Sequence, residues 1–139
     1  MTEGGNGSRG TGIVRVLVVD DDPAIADLAG EYLEHTDRHL TVRTETTPTK
    51  ALERVEAADE GFDCIVSDYE MPEMNGLEFR EAVRDATEDV PFILFTVCDE
   101  AHVASDARDT ITDYIRKDGS AGLFDELANS VSRAVGEAS

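Results

Sequence analysis

Short apolar runs that alternate with helical patterns constrain the fold of this 139-residue chain more than any other feature. Five runs rich in β-branched and aromatic residues recur, and apolar residues at helical spacing follow each of them. Several runs, such as Phe92–Phe95, are apolar at every position, as expected when helices cover both faces of a sheet. The predicted strands are Ile13–Val19, Leu40–Thr44, Phe62–Ser67, Pro91–Thr96 and Thr112–Arg116. This alternation predicts an α/β fold with a doubly wound, parallel, five-stranded sheet.

Capping signals mark the expected starts of three helices. Asp22 and Thr47 each precede a proline at the first helical position, and Asn75 with Glu78 matches a capping box. We interpret Asp22 as a helix cap only, and we leave it out of any binding site. Residues 99–108 offer mostly alanine as apolar side chains, so we expect the least stable helix there.

Length and composition favour one folded domain. Residues 1–12 carry five glycines and almost no apolar side chains, which predicts a flexible arm followed by a single domain over residues 13–139. No run reaches the roughly 18 apolar residues of a membrane span, and no signal-peptide pattern opens the chain. We therefore expect a cytoplasmic protein with no membrane partner and with its cysteines, Cys64 and Cys98, as reduced thiols.

The charge balance bears on partners. The net charge of −19 repels phosphates, so we expect no direct binding of nucleic acid. Only Lys50 and Lys117 are lysines among the 12 basic residues. This acidic, arginine-biased composition suggests a halophilic source. It also draws attention to Lys117, where the chain retains a compact ammonium group.

Polar residues follow the predicted strands. Asp20 and Asp21 come after the first strand, Asp68 after the third, Thr96 ends the fourth, and Lys117 follows the fifth. In an open α/β sheet, ligands bind at the carboxyl ends of the strands. Clustered carboxylates repel one another until a cation enters, and Mg²⁺ accepts a few carboxylates while keeping room for a phosphate oxygen. These residues predict a magnesium-dependent phosphoryl-transfer site.

Four segments resemble the motifs of two-component response-regulator receiver domains, in order and at similar spacing. They are VLVVDDDP, IVSDYEMPEMNG, FILFT and DYIRK, and the resemblance spans roughly residues 13–135. It implies the flavodoxin-like (βα)5 fold with strand order 2-1-3-4-5. In that order the first and third strands are neighbours, which would set Asp20 and Asp21 beside Asp68.

The resemblance also implies roles for the acidic residues. Asp68 resembles the phosphoacceptor, which takes its phosphoryl group from a histidine kinase. Asp21 resembles a direct ligand of Mg²⁺ or Mn²⁺, and Asp20 one that acts mainly through water. The backbone carbonyl of Glu70 and the carboxylate of Asp68 would complete the metal site.

Three further residues receive roles from the same resemblance. Thr96 would bond the acyl phosphate, and Lys117 would pair with Asp68 or with the phosphoryl oxygens. Tyr114 resembles the aromatic switch residue that moves inward when Thr96 is drawn to the phosphate. Together, Asp68, Thr96 and Lys117 form the expected catalytic set.

The function implied is signalling. The partners would be a sensor histidine kinase or phosphotransfer protein and, for output, a downstream protein or an output domain that this sequence does not contain. The domain would not be an enzyme with a separate substrate, although it would assist its own phosphorylation and dephosphorylation. Two positions depart from the family pattern: Asp118 stands where proline is common, and Val97 where a small residue is usual.

Three other functions fit the sequence less well. An aspartyl-nucleophile phosphohydrolase uses similar acid clusters, but Asp68-Tyr69-Glu70-Met71 lacks its usual acid-x-acid pattern with a following threonine. A flavin-binding module would need a phosphate loop where Asp20 and Asp21 stand. A degenerate receiver that acts only in docking is disfavoured because no motif residue is replaced.

Overall fold

The computed structural model describes residues 13–57, 61–87, 90–97, 111–119 and 121–138. The arm predicted at residues 1–12, the helix predicted at residues 99–108 and Cys98 lie outside these described residues. The described elements are, in chain order, β1 (Val14–Val19), α1 (Pro23–Thr36), β2 (Leu40–Glu45), α2 (Pro48–Ala57), β3 (Cys64–Ser67), α3 (Gly76–Ala86), β4 (Phe92–Thr96), β5 (Asp113–Arg116) and α4 (Leu123–Ala138).

The five strands form one parallel sheet in the order β2-β1-β3-β4-β5. The predicted α/β class, the parallel sheet and the strand order are therefore confirmed. Val19 pairs with Ser67, so the carboxyl ends of β1 and β3 lie side by side. This register brings the residues that follow the two strands to the same point on the sheet edge.

The predicted strands begin one or two residues earlier than four of the observed ones. Phe62 and Asp63 lie before β3, where the Asp63 carboxylate accepts a hydrogen bond from the backbone N–H of Arg15 at 2.9 Å. The Arg15 guanidinium lies over the Phe62 ring at 5.3 Å from its centroid. The side chains of Asp63 and Phe62 thus make contacts to Arg15 just before β3 begins. Differences of one or two residues between predicted and observed strand ends are usual.

Helices cover both faces of the sheet, as the apolar strands predicted. One apolar cluster joins the sheet to α1 and α4 and is centred on Val16, Val66, Phe95 and Leu127. A second cluster joins the opposite face to α2 and α3 and includes Leu17, Ala51, Ile65, Phe79 and Leu94. The strands are buried on both sides, which leaves the sheet edge and the loops to carry the polar chemistry.

The predicted helix caps are confirmed. The Asp22 carboxylate accepts hydrogen bonds from the backbone N–H groups of Ala24 and Ile25, so Asp22 caps α1 as predicted. Asn75 and Glu78 form a reciprocal capping box at the start of α3. α3 therefore starts at a fixed position beyond the loop that follows Asp68.

Cys64 is a free, fully buried thiol, and burial together with the Asp63 charge raises its pKa to about 12, so it is unreactive. Among the helices of the described residues, none is long and apolar enough to cross a bilayer.

Candidate functional site

The alternation of side chains along the strands brings three charged residues to one face of the sheet edge. Val18 on β1 and Val66 on β3 belong to the apolar cluster beneath α1 and α4. Asp20 and Asp68 stand two residues further along these strands, and Lys117 stands two residues beyond Ile115 of the same cluster. Because side chains two residues apart in a strand share a face, all three charges lie above this cluster.

The structure brings Asp20, Asp21 and Asp68 together. One carboxylate oxygen from each lies within 4.8 Å of the others, and we refer to these three carboxylates as the acid cluster. Asp20 and Asp68 are 2% and 7% exposed, whereas Asp21 is open to solvent. Carboxylate oxygens in this number are a donor set that suits a hard divalent cation. The residues present therefore fit a divalent metal ion.

Lys117 lies against the acid cluster. Its Nζ donates a short hydrogen bond to Asp20 Oδ2 and lies 3.5 Å from Asp68 Oδ2, with its side chain 11% exposed. The ammonium also sits 5.3 Å from the centroid of the Phe95 ring, which the sequence analysis did not anticipate. The expected pairing with Asp68 is present, but the closer partner is Asp20. The ammonium thus neutralises part of the charge that the carboxylates gather.

The backbone around Asp68 is tightly fixed. Its Oδ1 accepts a hydrogen bond from the Tyr69 N–H at 2.7 Å, and its carbonyl oxygen accepts one from the Ser67 hydroxyl at 2.8 Å. A Cβ at Gly76 would lie 2.5 Å from that carbonyl oxygen and 3.0 Å from the Leu94 side chain. Only glycine leaves room for the start of α3 to approach the strand end so closely.

Burial and like charge shift the pKa values in the acid cluster. Burial raises the pKa of Asp20 above its ordinary value, aided by the Asp68 charge and opposed by Lys117 and by the Asp22 N–H. Partial desolvation and the Asp68 charge likewise raise the pKa of Asp21. Both directions mean that Asp20 and Asp21 ionise less readily here than free carboxyl groups do.

Thr96 and Tyr114 lie on the neighbouring strands. Thr96 is fully buried at the end of β4, and its carbonyl oxygen accepts a hydrogen bond from the Lys117 N–H at 2.7 Å. Leu94 pairs with Tyr114, so alternation places Thr96 and Tyr114 on the same sheet face, above the second apolar cluster. Tyr114 is half-buried against that cluster.

The remaining predicted positions follow the ends of β3, β4 and β5. Glu70 is exposed in the β3–α3 loop (residues 69–75), two residues after Asp68. Val97 is 59% exposed, and the peptide bond between Lys117 and Asp118 is trans. A cavity of about 510 Å³ opens beside the carboxylates. Its lining residues are Asp20, Asp21, Asp22, Ile25, Leu28, Asp68, Phe95, Val97, Lys117, Gly119, Leu123 and Phe124.

Comparison with known families agrees with this arrangement. The response regulator receiver domain family matches residues 16–128, which is most of the chain. The chain therefore belongs to the response regulator receiver domain family, and it is homologous to two-component response regulators.

Individual relatives show how far the likeness extends. The chain is 32% identical over 105 residues to the two-component response regulator ARR12 of Arabidopsis thaliana, covering 75% of this chain and 17% of that protein. It is 34% identical over 125 residues to a protein-glutamate methylesterase/protein-glutamine glutaminase of Nocardioides sp., covering 88% of this chain and 34% of that protein. The chain thus spans 34% or less of the length of these two curated relatives.

Solved structures support the fold. The response regulator protein TrrA of Thermotoga maritima, in complex with Mg²⁺-BeF, is 29% identical, with a TM-score of 0.75 and coverage of 88% of this chain and 99% of that one. A receiver domain protein from Clostridium thermocellum has a TM-score of 0.78 at 21% identity, with coverage of 90% and 96%. The second likeness concerns the fold alone.

Proposed function

We propose that Asp68 accepts a phosphoryl group and that Mg²⁺, or Mn²⁺ in its place, supports the transfer. The observation that carries the proposal is the convergence of the Asp20, Asp21 and Asp68 carboxylates within 4.8 Å, with the Lys117 ammonium beside them. A solved relative that carries Mg²⁺-BeF supports the choice of metal. The metal would be held by the acid cluster and by the backbone carbonyl of Glu70.

The chemical step is a displacement at phosphorus. A carboxylate oxygen of Asp68 forms the new bond to phosphorus, and the bond from phosphorus to the donor breaks, with its electron pair leaving on the donor. The divalent cation, when bound, neutralises the negative charge that the carboxylates and the phosphoryl oxygens bring together. The Tyr69 N–H holds Oδ1 of Asp68 in a fixed orientation for this reaction.

Lys117 supplies a mobile positive charge beside the nucleophile. Its ammonium already contacts Asp20 and Asp68, so a short movement of a flexible side chain brings it to an oxygen of the phosphoryl group. The backbone bond from Lys117 to Thr96 keeps the ends of β4 and β5 together. We infer that Asp68, Thr96 and Lys117 act together on the phosphoryl group.

Thr96 and Tyr114 form the proposed switch. Their shared sheet face supports a mechanism in which the Thr96 hydroxyl turns to the phosphoryl group and vacates space that the Tyr114 ring then fills. The half-buried position of Tyr114 gives the ring room for an inward and an outward arrangement. The signal would then be a changed surface around β5.

The same reasoning gives the biological setting that we propose. The phosphoryl group would come from a sensor histidine kinase or a phosphotransfer protein, in the cytoplasm. The output would pass to a downstream protein or to an output domain of a longer chain, without direct contact with nucleic acid. We infer a signalling domain over residues 13–139, not an enzyme with its own substrate, although one relative is named as a methylesterase.

The test is incubation with acetyl phosphate, with and without Mg²⁺, followed by intact mass measurement of the wild type and of Asp68→Asn. We expect the mass of one phosphoryl group on the wild type with Mg²⁺, and none after chelation or in Asp68→Asn. Turnover of p-nitrophenyl phosphate by the unlabelled protein would instead favour the phosphohydrolase. A protein that neither gains mass nor hydrolyses p-nitrophenyl phosphate would favour the degenerate receiver that acts only in docking.

A further inference from the structure

The β3–α3 loop contains a strained residue. Glu73 has φ of 77°, and it is the non-glycine residue with positive φ within the part of the chain that the structure describes. Residues with a Cβ pay an energetic cost in this region, and glutamate lacks the short polar side chain that helps asparagine there. Backbone strain persists where surrounding contacts hold it in place, so the contacts of Glu73 are informative.

Those contacts join the loop to another helix. Glu73 Oε1 accepts a hydrogen bond from the Thr49 backbone N–H at 3.2 Å and a short one from the Thr49 hydroxyl. Thr49 lies in the first turn of α2, where backbone N–H groups lack partners within the helix. The partial positive charge at a helix N-terminus favours a carboxylate, so Glu73 fixes the loop through both charge and hydrogen bonding.

The rest of the loop is fixed by other means. The Gly76 N–H donates to the Tyr69 carbonyl at 2.7 Å, which closes the base of the loop next to Asp68. Met71 and Met74 pack against the second apolar cluster. Glu73 lies between these two methionines at the exposed turn of the loop. Its bond to α2 therefore fixes the turn, which apolar packing does not fix.

We propose that Glu73 is a positioning residue that acts through Thr49. By holding the turn of the β3–α3 loop against α2, it fixes the loop backbone that contains Glu70, two residues after Asp68. This inference rests on the proposed magnesium site, because its consequence is a better-ordered carbonyl ligand for the metal. Glu73 itself would not touch the ion.

The experiment measures Mg²⁺ affinity by calorimetric titration with MgCl₂ on the full chain. We expect Glu73→Ala to bind about threefold more weakly than the wild type, which equals roughly 0.65 kcal/mol. Thr49→Val retains the backbone N–H and removes only the hydroxyl, so it should show a smaller loss. Glu53→Ala, at an exposed glutamate of α2, removes the same charge without the contact and should bind Mg²⁺ as the wild type does within about 1.5-fold.

Glu73→Gly separates positioning from general stability. Glycine relieves the positive φ, so its melting temperature should match or exceed that of Glu73→Ala, while its Mg²⁺ affinity should still fall. A wild-type affinity in both Glu73→Ala and Glu73→Gly would refute the positioning role and leave the metal site standing. A wild type that binds no Mg²⁺ would refute the metal site and this inference with it.

Discussion

Replacing Asp21 by asparagine should make the metal-free protein more stable and the magnesium-loaded protein less stable. Asp21 is the exposed member of the acid cluster, so an amide fits there without creating a buried, unpaired group. The substitution removes one charge from a site where burial and the Asp68 charge raise the pKa of Asp20 and of Asp21. It also removes a carboxylate that we propose as a direct metal ligand.

The distances in the cluster set the size of the effect. Two unit charges 4.8 Å apart repel by about 3.5 kcal/mol at an effective dielectric of 20. Because Asp21 is exposed, and because its attraction to Lys117 is lost as well, we expect a net gain of only about 1 kcal/mol without metal. For a domain of this size, that gain raises the melting temperature by about 3 to 4 °C.

Magnesium should reverse the order of stabilities. At a concentration of 100 times its dissociation constant, Mg²⁺ stabilises the wild type by about 2.7 kcal/mol. Removing a residue that hydrogen-bonds to a metal ligand already weakens metal binding by about 10- to 100-fold. Removing a ligand itself should therefore weaken Mg²⁺ binding by about 100-fold. At the same concentration Asp21→Asn would then gain only about 0.4 kcal/mol, and the wild type would be the more stable protein.

The assay is urea unfolding in EDTA and in MgCl₂, with Asp22→Asn as the matched control. Asparagine caps a helix as well as aspartate does, so this variant removes a neighbouring charge and keeps the cap of α1. It should show only a small change in Mg²⁺ affinity. An Asp21→Asn protein that is less stable than the wild type in EDTA, or that gains equally from Mg²⁺, would refute the reasoning.

Four other outcomes follow from the site. The raised pKa of Asp20 means that the folded state holds this proton more tightly than the unfolded state, so without metal its ionisation lowers stability as pH rises through that pKa. The excess stability of Asp20→Asn over the wild type in EDTA should therefore shrink as pH falls from about 7 to about 4, as urea titrations at each pH would show. Lys117→Met should bind Mg²⁺ about fivefold more tightly, or by about 1 kcal/mol, because the ammonium no longer competes for the carboxylates, while labelling by acetyl phosphate falls; unchanged affinity in calorimetry would contradict this. Gly76→Ala should lose about 2 to 3 kcal/mol in urea unfolding, since its Cβ would lie 2.5 Å from the Asp68 carbonyl oxygen, and wild-type stability would show that the chain relaxes freely there. Val97 lines the cavity beside Asp68, so Val97→Ala should speed loss of the phosphoryl group about twofold, or by roughly 0.4 kcal/mol of activation energy, and equal decay rates would remove the idea that this side chain restricts access.

Much of the fold was predictable because local and global signals agree along this chain. Strands that are apolar at every position predicted helices on both faces of the sheet. The structure has an apolar cluster between the sheet and a pair of helices on each face. Caps at Asp22 and Asn75 fixed the starts of α1 and α3 to the residue. The acid cluster was predictable because strand ends in a parallel sheet meet at one edge.

The finer contacts depend on packing that sequence patterns do not encode. Asp20 and Asp68 lie on the same edge and face of the sheet, so strand positions alone do not tell which of them Lys117 contacts more closely. That choice depends on side-chain packing, which includes the contact of the ammonium with the Phe95 ring. The bond from Glu73 joins the β3–α3 loop to Thr49 of α2, which lies 24 residues earlier in the chain, and it is made by a glutamate with a positive φ. Neither the lysine's partner nor this turn has a local signature.

The most direct measurement of the central claim is chemical trapping of the labelled residue. Borohydride reduces an aspartyl phosphate to homoserine, and peptide mass mapping then reports the modified position. After acetyl phosphate and Mg²⁺, we expect homoserine at position 68 alone, and none when EDTA replaces Mg²⁺. Homoserine at Asp20 or Asp21, or labelling of Asp68 that is indifferent to the metal, would contradict a nucleophile whose reactivity depends on a shared divalent cation.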